Sequence, residues 1–510
     1  MKRFFHSYWS KWLGHTFFCA FFIVLAFTLS DFINTPIKSI TDITMACIHM
    51  STVFIACWSF IIILALLPTV AFTIGYSTVV FVSAILSFYR YTMDFSLNTM
   101  MLDIVFQNDL KVSADMVTWE VLLWVIAFTI MGIFLAKIKK SYTVQYQKKT
   151  TYVILALSVT SFFILLAPSG RFARPVTERI PFNVYAVTKK YIEEHHEIAK
   201  ERSRKCHTVV APTDSLTVVV IIGEALRPQN MSINGYYRKT TPNLEALRVN
   251  SFDHIYSEYV YTNRSVPHIL TPADSTHTDY AYTERSFIDV FNAAKFSTTF
   301  IANQDAEIPY VYFMEEANTY IKANTSKTVY NFEKWLDEDI LPYYNQTLKK
   351  DSIQSLIVLH CIGSHWWYNS HYSNNFEIFK PTMTSRIVSN CDSMEIVNSY
   401  DNTVCYTDYF LQQIIQPLVD KNAVVIFLSD HGEALGENGQ WLHASNSEVM
   451  HKTAAFVWMS NLYKQKFSYK ATQCEQNRHK RYRTDFLYHS VIDAAHIKTD
   501  ILDTTLSIFR

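Results

Sequence analysis

Acidic and histidine side chains follow two apolar, strand-like stretches of this chain. The stretch 423–428 leads within three residues to Asp430 and His431, and the stretch 216–222 leads to Glu224. Open α/β sheets build their sites at the carboxyl ends of strands, so these three side chains are expected to meet. Two carboxylates and an imidazole suit a divalent metal, and zinc fits this ligand set best. The sequence therefore predicts a metal site held by Glu224, Asp430 and His431.

Further histidines lie near other predicted strand ends. His360 and His365 lie at and just beyond the end of a third apolar stretch, and His443 lies downstream in the last third of the chain. Each alone is more typical of a hydrogen-bonded polar residue, but together they favour general acid–base chemistry. Taken alone, the carboxylate of Glu224 at a strand end could equally form a structural ion pair, for example with Arg227, instead of binding a metal.

Nucleophilic chemistry at such a site needs a hydroxyl, and the segment 261–267 offers several. Thr262 is the candidate, and Ser265 competes with it. A threonine without activation is a poor nucleophile at neutral pH, so contact with the metal must make its hydroxyl more acidic.

The elements that must position these groups alternate between strands and helices. Predicted strands lie at 216–222, 298–301, 355–360 and 424–428. A helix is predicted after Thr241, with Pro242 at its first position and Thr241 as its cap. This interleaving predicts a mostly parallel sheet covered by helices.

The first third of the chain has the composition of membrane helices. Five apolar stretches approach or exceed the roughly 20 residues that cross a bilayer. They lie at about 13–30, 43–67, 69–88, 119–136 and 151–167. The first is too long, and is followed by too many others, to be a cleavable signal peptide. We predict an α-helical transmembrane domain of five spans (1–168), a linker with an interfacial helix (169–208), and an α/β catalytic domain (209–510). The helix at 182–202 could equally be an ordinary packed helix.

Basic residues in short loops predict the orientation of these spans. Lys2, Arg3 and Lys11 precede the first span, and five lysines lie between positions 137 and 149. Both regions are cytoplasmic if the amino terminus is inside. Five spans then place the chain after about residue 168 on the outer face, which in a bacterium is the periplasm.

Charge and cysteine content set two further limits. Basic and acidic residues number 45 each, so net charge gives no support for a nucleic-acid partner. Three cysteines fall in predicted spans, and five lie in the outer domain: Cys206, Cys361, Cys391, Cys405 and Cys474. An oxidising compartment permits disulfides there, and an odd number leaves at least one thiol unpaired within the chain.

Four motifs together resemble those of the membrane-anchored phosphoethanolamine transferases of Gram-negative bacteria. They are 223–227 with 234–236 and 240–244, then 262–267, then 400–402, and lastly 429–439 followed by His443. This family includes enzymes that modify lipid A and the lipopolysaccharide core, and the mobile colistin (polymyxin) resistance proteins.

The resemblance implies an alkaline phosphatase/sulfatase fold for the outer domain. It implies zinc, one tightly bound ion with room for a second, held by Glu224, Thr262, Asp430 and His431. It also implies that Thr262 carries phosphoethanolamine in a covalent intermediate. His365 and His443 match family histidines that contact the phosphate or a second metal.

The reaction implied by the resemblance starts with attack of Thr262 on the phosphorus of phosphatidylethanolamine. Diacylglycerol leaves, and phosphoethanolamine then passes to lipid A or the lipopolysaccharide core. The implied location is the bacterial inner membrane, crossed several times, with a cytoplasmic amino terminus and a periplasmic catalytic domain.

The chain departs from the family pattern in three regions. Relatives often bracket the nucleophile with a disulfide, where this chain has Glu258 and His268. Polar residues near the donor head group become Ile104, Asn108 and Val112 in the segment 103–115. The run Asn303-Gln304-Asp305 lies where some relatives carry a lysine. These changes bear on head-group recognition and leave the metal chemistry intact.

Three alternatives share many of these features. A glycerol-phosphate transferase of the lipoteichoic-acid synthase type would also have five spans and a threonine nucleophile. A membrane sulfatase or phosphodiesterase would use water as the acceptor. An inactive membrane sensor with a hydrolase-like ectodomain would need no catalytic residues. The intact set of metal ligands and nucleophile argues against this third alternative.

Overall fold

The computed structural model describes residues 8–29, 40–93, 97, 102, 119–141, 148–166, 173–198, 202, 209–210, 212, 214–304, 308–324, 334–350, 353–385, 388–443 and 447–510. Two compact units make up the chain, Met1–Glu194 and His195–Arg510. The division at residues 168 and 208 stays a prediction. The whole segment 103–115, together with Asp305 and Cys206, lies outside the described residues.

Helices make up the described part of the first unit. They are α1 (Tyr8–Phe27), α2 (Ile40–Leu64), α3 (Thr69–Met93), α4 (Trp119–Lys137), α5 (Lys148–Leu166), α6 (Ala173–Thr177) and α7 (Asn183–Ile198). The helices α1 to α5 coincide with the five predicted spans. By length and composition, α2, α3 and α4 could each cross a membrane, whereas α1 and α5 contain shorter apolar stretches.

At one end of this unit, hydrogen bonds from side chains to main-chain carbonyl oxygens link different helices. Lys139 Nζ donates hydrogen bonds to the carbonyl oxygens of Ala65, at 2.7 Å, and Leu67. Near the start of α1, His15 Nε2 lies 2.8 Å from the carbonyl oxygen of Leu135. The start of α1, the turn between α2 and α3 and the end of α4 therefore lie together, as an up-and-down order of spans requires.

An eight-stranded sheet forms the centre of the second unit. The strands of this unit are β1 (Val209–Val210), β2 (Leu216–Gly223), β3 (Asn250–Tyr256), β4 (Ser297–Ala302), β5 (Thr319–Lys322), β6 (Gln354–His360), β7 (Ala423–Ser429), β8 (Ala434–Leu435), β9 (Trp441–Leu442), β10 (Lys452–Met459), β11 (Tyr482–Arg483) and β12 (Lys498–Thr499). The order across the large sheet is β11-β3-β10-β7-β2-β6-β4-β5. Neighbouring strands are parallel except where β10 pairs antiparallel with β3 and β7. The mostly parallel sheet is confirmed, although four of its strands, β3, β5, β10 and β11, are not among the predicted ones.

The central strand β2 shows why both faces of this sheet are covered. Val218, Val220 and Ile222 belong to one hydrophobic cluster, and Val219 and Ile221 belong to another. Side chains along a strand alternate between faces, so an unbroken apolar run is buried only if both faces are covered.

Helices supply that cover. Those of the second unit are α8 (Pro242–Ala246), α9 (Thr262–Leu270), α10 (Tyr280–Thr283), α11 (Phe287–Ala293), α12 (Ile308–Glu315), α13 (Leu341–Leu348), α14 (Ser393–Ile415), α15 (Asn461–Lys466), α16 (Ser468–Asn477) and α17 (Phe486–Ala494). Apolar residues of α9, α11 and α17 join the first cluster, and those of α13 and α14 join the second.

Candidate metal centre

The central strands β2 and β7 bring the predicted ligands together at one edge of the sheet. They run parallel, with Gly223 opposite Ser429 in the register. Glu224 therefore emerges beside Asp430 and His431, as the sequence predicts. His431 Nε2 lies 3.3 Å from Glu224 Oε1 and 3.5 Å from Asp430 Oδ2, and all three side chains are fully buried.

Each of these three side chains has one atom that can bind a shared metal ion. Glu224 Oε1, Asp430 Oδ2 and His431 Nε2 are buried without a hydrogen-bond partner. One ligand atom from each side chain lies within 4.8 Å of the others. Buried polar atoms normally have partners, so three such atoms that converge fit a shared cation as their partner.

The remaining polar atoms of the ligands are held by the protein. Asp430 Oδ1 accepts hydrogen bonds from the main-chain N–H groups of Ala225, at 3.2 Å, and His431, at 2.7 Å. His431 Nδ1 lies 2.7 Å from the carbonyl oxygen of Gly432. That carbonyl can only accept, so Nδ1 carries a hydrogen, and in the neutral imidazole the Nε2 lone pair is the one that can bind a metal. This donor set fits zinc.

The electrostatics of the cluster favour a positive charge between the carboxylates. Burial, with the charge of Glu224, raises the pKa of Asp430 to about 7. Burial would lower the pKa of His431, but the charge of Asp430 and the contact with Glu224 raise it to about 10. Burial likewise opposes ionisation of Glu224, yet His431 holds the pKa of Glu224 below its usual value.

Close packing around the ligands explains two glycines. A Cβ atom on Gly432 would lie 2.2 Å from the carbonyl oxygen of Lys452. Gly363 has a φ of +50°, and a Cβ there would lie 2.8 Å from the carbonyl oxygen of Glu224. Both positions admit only glycine because another main-chain segment passes against them.

The candidate nucleophile Thr262 lies at this cluster. Its Oγ1 donates a hydrogen bond to Glu224 Oε2 at 2.8 Å. Ser265 instead contacts the preceding segment, with its Oγ 3.2 Å from the carbonyl oxygen of Tyr259. Among the hydroxyls of the segment, Thr262 is therefore the one that meets the predicted ligands.

Thr262 is also the first residue of helix α9. Tyr261 is the N-cap and makes no side-chain cap hydrogen bond. The first N–H groups of a helix lack partners within the helix, and they favour anions. The amino-terminal end of α9 can therefore contact a phosphate group bound beside Thr262.

His365 and His443 lie next to each other on one side of the cluster. Their ring centroids are 5.7 Å apart, and that of His443 lies 5.0 Å from that of His431. Burial lowers the pKa of His365 despite the nearby charge of Glu224. His443 Nδ1 contacts Glu433 Oε2 at 3.0 Å. Both histidines are thus near enough to the site to contact a substrate phosphate.

Two other interpretations of the sequence are not supported. Arg227 does not pair with Glu224; its Nη2 lies 2.6 Å from Glu437 Oε1. His360 ends β6 and is fully buried beside Phe300, with ring centroids 6.5 Å apart. Burial lowers the pKa of His360 to about 4. His360 therefore belongs to the core of the sheet.

The motif at 400–402 proves to be a support for the loop that follows β2. The Tyr400 hydroxyl donates to the carbonyl oxygen of Ala225 at 2.7 Å and accepts from the N–H of Arg227 at 3.0 Å. Asp401 accepts hydrogen bonds from Asn230, at 2.6 Å, and from Tyr236 and Arg238, at 2.8 Å each. Helix α14 thereby fixes the chain just beyond Glu224.

The same helix also caps α8, where the predicted cap is wrong in part. Pro242 occupies the first turn as predicted, but the side chain of Thr241 makes no cap hydrogen bond. Asp408 on α14 instead accepts from the N–H groups of Asn243 and Leu244, at 2.9 Å each. Thr241 Oγ1 is used elsewhere, accepting from the N–H of Ile233 at 3.0 Å.

Substituting Tyr400 by Phe is expected to lower stability by about 1–3 kcal/mol, because a buried carbonyl and a buried N–H lose their partner. Thermal unfolding of the purified chain in detergent measures this effect. The control is Tyr237→Phe, whose side chain is 77% exposed and which should change stability by less than about 0.5 kcal/mol. Equal unfolding temperatures for the two variants would contradict the support role of Tyr400.

The supporting roles of several residues were not predicted from the sequence. Gln304 Nε2 contacts Glu224 Oε2 at 3.0 Å, and Asp337 accepts from the N–H groups of Ile362 and Gly363, at 2.8 and 3.0 Å. Glu433 accepts from Tyr368 as well as contacting His443. All of these partners are distant in the chain or lie in loops without a local pattern. The described cysteines of this unit, including Cys361 and Cys405, are free thiols.

Known proteins match this chain in sequence and in fold. The family model described as Sulfatase matches residues 216–497. The Kdo(2)-lipid A phosphoethanolamine 7''-transferase of Escherichia coli K12 is 30% identical over 269 residues, which are 51% of this chain and 47% of that protein. The chain spans about half the length of the curated relatives it matches.

Two solved structures have the same fold. The integral membrane lipooligosaccharide phosphoethanolamine transferase A of Neisseria meningitidis gives a TM-score of 0.81 at 22% identity, covering 97% of this chain and 98% of that one. The C-terminal periplasmic domain of EcEptC from Escherichia coli, described as a complex with Zn, gives 0.53 at 22% identity, covering 61% and 90%. The predicted resemblance and fold class are confirmed by these matches.

Proposed function

Because the chain belongs to the sulfatase family, we propose that it is a metal-dependent, membrane-anchored phosphoethanolamine transferase. The observation that carries the proposal is the hydrogen bond of Thr262 Oγ1 to Glu224 Oε2, within a buried cluster of orphaned ligand atoms. A hydroxyl held in such a place suits nucleophilic transfer through a covalent intermediate. The enzymes named above act in the same class of reaction.

Zinc is the metal proposed for this cluster. Glu224, Asp430 and His431 would hold it with one atom each, and Thr262 would complete the set. The bound ion would make the threonine hydroxyl more acidic and offset charge on the phosphoryl oxygens. The related EcEptC domain described with Zn supports the choice of metal. A second ion near His365 and His443 stays a prediction.

The protein's own groups account for the movement of the proton and the phosphoryl group. Glu224 Oε2 is placed to accept the hydroxyl proton as Thr262 Oγ1 forms a bond to the phosphorus of phosphatidylethanolamine. The bond from phosphorus to the diacylglycerol oxygen breaks, and His365 or His443 protonates that leaving oxygen. In the second step an acceptor oxygen attacks the same phosphorus, and the bond from phosphorus to Thr262 Oγ1 breaks. Oγ1 takes back the proton held by Glu224, and the histidine is reprotonated by the acceptor or by solvent.

The helix start at Thr262 would help to bind the donor. Phosphate oxygens facing the amino-terminal N–H groups of α9 would be oriented for in-line attack by Oγ1. This contact recognises the phosphate and not the ethanolamine. That the segment 103–115 contacts the ethanolamine head group stays a prediction.

The relatives and the helices of the first unit support a proposal for the donor, the acceptor and the location. We propose phosphatidylethanolamine as donor and lipid A or the lipopolysaccharide core as acceptor. The proposed location is the bacterial inner membrane, with a cytoplasmic amino terminus and a periplasmic catalytic domain. Within the described residues, three helices are long and apolar enough to span a bilayer, which supports a membrane anchor.

Mass spectrometry of lipid A tests this proposal. Gram-negative cells lacking their own transferases would express the wild-type chain or Thr262→Ala at matched membrane levels. We expect lipid A or core to gain the mass of one phosphoethanolamine only with the wild-type chain. A gain of glycerol phosphate would replace the proposal by the lipoteichoic-acid synthase type of reaction, and unchanged lipids would contradict it.

A further inference from the structure

Gln304 contacts the candidate site although it is neither a ligand nor a nucleophile there. It lies two residues beyond the end of β4 and is only 7% exposed. Its Nε2 donates to Glu224 Oε2 at 3.0 Å and to the carbonyl oxygen of Cys361 at 3.0 Å. One amide group therefore links the carboxylate of Glu224 to the main chain.

The main-chain end of this link is rigid. The N–H of Cys361 donates to the carbonyl oxygen of Ile222 at 3.0 Å, one step beyond the paired part of β6 and β2. The N–H of Asn303, next to Gln304, donates to the carbonyl oxygen of His360 at 2.8 Å. Cys361 and Gln304 are thus both fixed to the carboxyl ends of neighbouring strands.

The neighbouring side chain anchors the backbone of Gln304 further. Asn303 Nδ2 donates to Asp337 Oδ1 at 3.0 Å, and Asn303 Oδ1 accepts from Trp335 Nε1 at 2.8 Å. Both bonds are fully buried. The position of the Gln304 amide is consequently set by the sheet and by this network, independently of Glu224.

The two oxygens of Glu224 have different partners, and Gln304 contributes to that difference. Oε2 accepts from Thr262 Oγ1 at 2.8 Å and from Gln304 Nε2 at 3.0 Å. Oε1 has no hydrogen-bond partner and lies 3.3 Å from His431 Nε2. A carboxylate can rotate about its last torsion, and two donors on one oxygen restrict that rotation.

The hydroxyl of Thr262 cannot restrict the carboxylate alone throughout the proposed reaction. When Oγ1 binds phosphorus it no longer donates to Glu224. Gln304 is then the remaining side-chain donor to Oε2 among the described residues. It also brings no charge, so it orients the carboxylate without competing with a cation for it.

We infer that Gln304 is a positioning residue that fixes the rotation of the Glu224 carboxylate, aiming Oε1 at the metal and Oε2 at Thr262. The inference rests on the proposed function, since it assigns the metal and the nucleophile as proposed there. Residues that orient a metal ligand typically contribute about 10–100-fold to metal affinity.

Gln304→Met tests the inference, because methionine keeps the length of the side chain and removes both N–H donors. The full chain in detergent would be titrated with zinc against a fluorescent chelator. We expect the Kd for zinc to rise about 10–100-fold while the unfolding temperature stays close to that of the wild type. With zinc saturating, the transfer of phosphoethanolamine from phosphatidylethanolamine to Thr262 should also slow by about tenfold.

Gln354→Met is the matched control. Gln354 lies at the opposite end of β6, and its Nε2 also donates to two main-chain oxygens, those of Pro212 at 2.6 Å and Asp214 at 3.0 Å. It should leave zinc affinity unchanged. Gln304→Asn retains an amide of shorter reach, so it should fall between the wild type and Gln304→Met, and it serves if the methionine variant does not fold.

The outcomes separate this inference from the function on which it rests. The positioning role would be overturned if the folded Gln304 variants bound zinc with wild-type affinity and accepted phosphoethanolamine on Thr262 at the wild-type rate. The proposed function would still stand in that case. Failure of the wild-type chain itself to bind zinc would overturn both.

Discussion

The Thr262→Ala variant is expected to fold and to bind zinc, but to transfer no phosphoethanolamine. The substitution removes the only hydroxyl of the segment 261–267 that contacts Glu224 among the described residues. Loss of a covalent nucleophile typically lowers turnover by about 10³-fold or more. Turnover would be measured with purified chain, labelled phosphatidylethanolamine and a lipid A acceptor in mixed micelles.

Folding should survive this substitution because the freed carboxylate oxygen keeps a second donor. Gln304 still donates to Glu224 Oε2 at 3.0 Å. The free energy of unfolding should therefore fall by only about 1 kcal/mol. Ser265→Ala is the matched control, since it deletes a nearby hydroxyl that faces Tyr259. If Thr262→Ala kept wild-type turnover while Ser265→Ala lost it, the nucleophile assignment would pass to Ser265.

Removing the metal is expected to abolish turnover and to lower stability together. Without a cation, Glu224 and Asp430 remain buried close to each other with oxygens that lack hydrogen-bond partners. The metal contributes several kcal/mol to the transition state of such reactions, which corresponds to a rate loss of roughly 10³-fold. Dialysis against a strong chelator, followed by activity and melting measurements, tests both effects.

Re-addition of zinc should restore both activity and melting temperature. With free zinc about 1,000-fold above its Kd, binding stabilises the folded state by about 4 kcal/mol. Asp430→Asn provides the control, because it keeps the shape of a ligand and removes its charge, so chelation should change its melting temperature little. Full activity after prolonged chelation, with zinc absent by elemental analysis, would argue against a catalytic metal.

The buried parallel strands could be predicted because each carries its own local signal. β2, β6 and β7 are covered on both faces, so they appear in the sequence as unbroken apolar runs. β10 has a similar apolar run, but nothing local indicates that it pairs antiparallel between β3 and β7. β3 is polar at several positions because only part of it is buried. Pairing partners are set by contacts distant in the chain.

The metal ligands could be predicted from residue type and position, whereas their supports could not. Glu224, Asp430 and His431 each follow a recognisable strand. Tyr400 meets Arg227 across 173 positions of sequence, and Gln304 meets Glu224 across 80. Such contacts depend on how α14 packs on the sheet and on the place of β4 one strand away from β2, with β6 between them. No local sequence pattern indicates these arrangements. Motifs that look catalytic in the sequence, such as 400–402, can therefore have a supporting role.

The covalent intermediate offers the most direct test of the central claim, that Thr262 accepts the phosphoryl group beside a metal held by Glu224, Asp430 and His431. Zinc-loaded chain would be incubated with phosphatidylethanolamine and no acceptor, quenched in acid, digested and analysed by tandem mass spectrometry. We predict that one phosphoethanolamine is attached to Thr262 and that prior chelation prevents the attachment. Modification of another residue, or release of diacylglycerol with no modified peptide, would contradict the account.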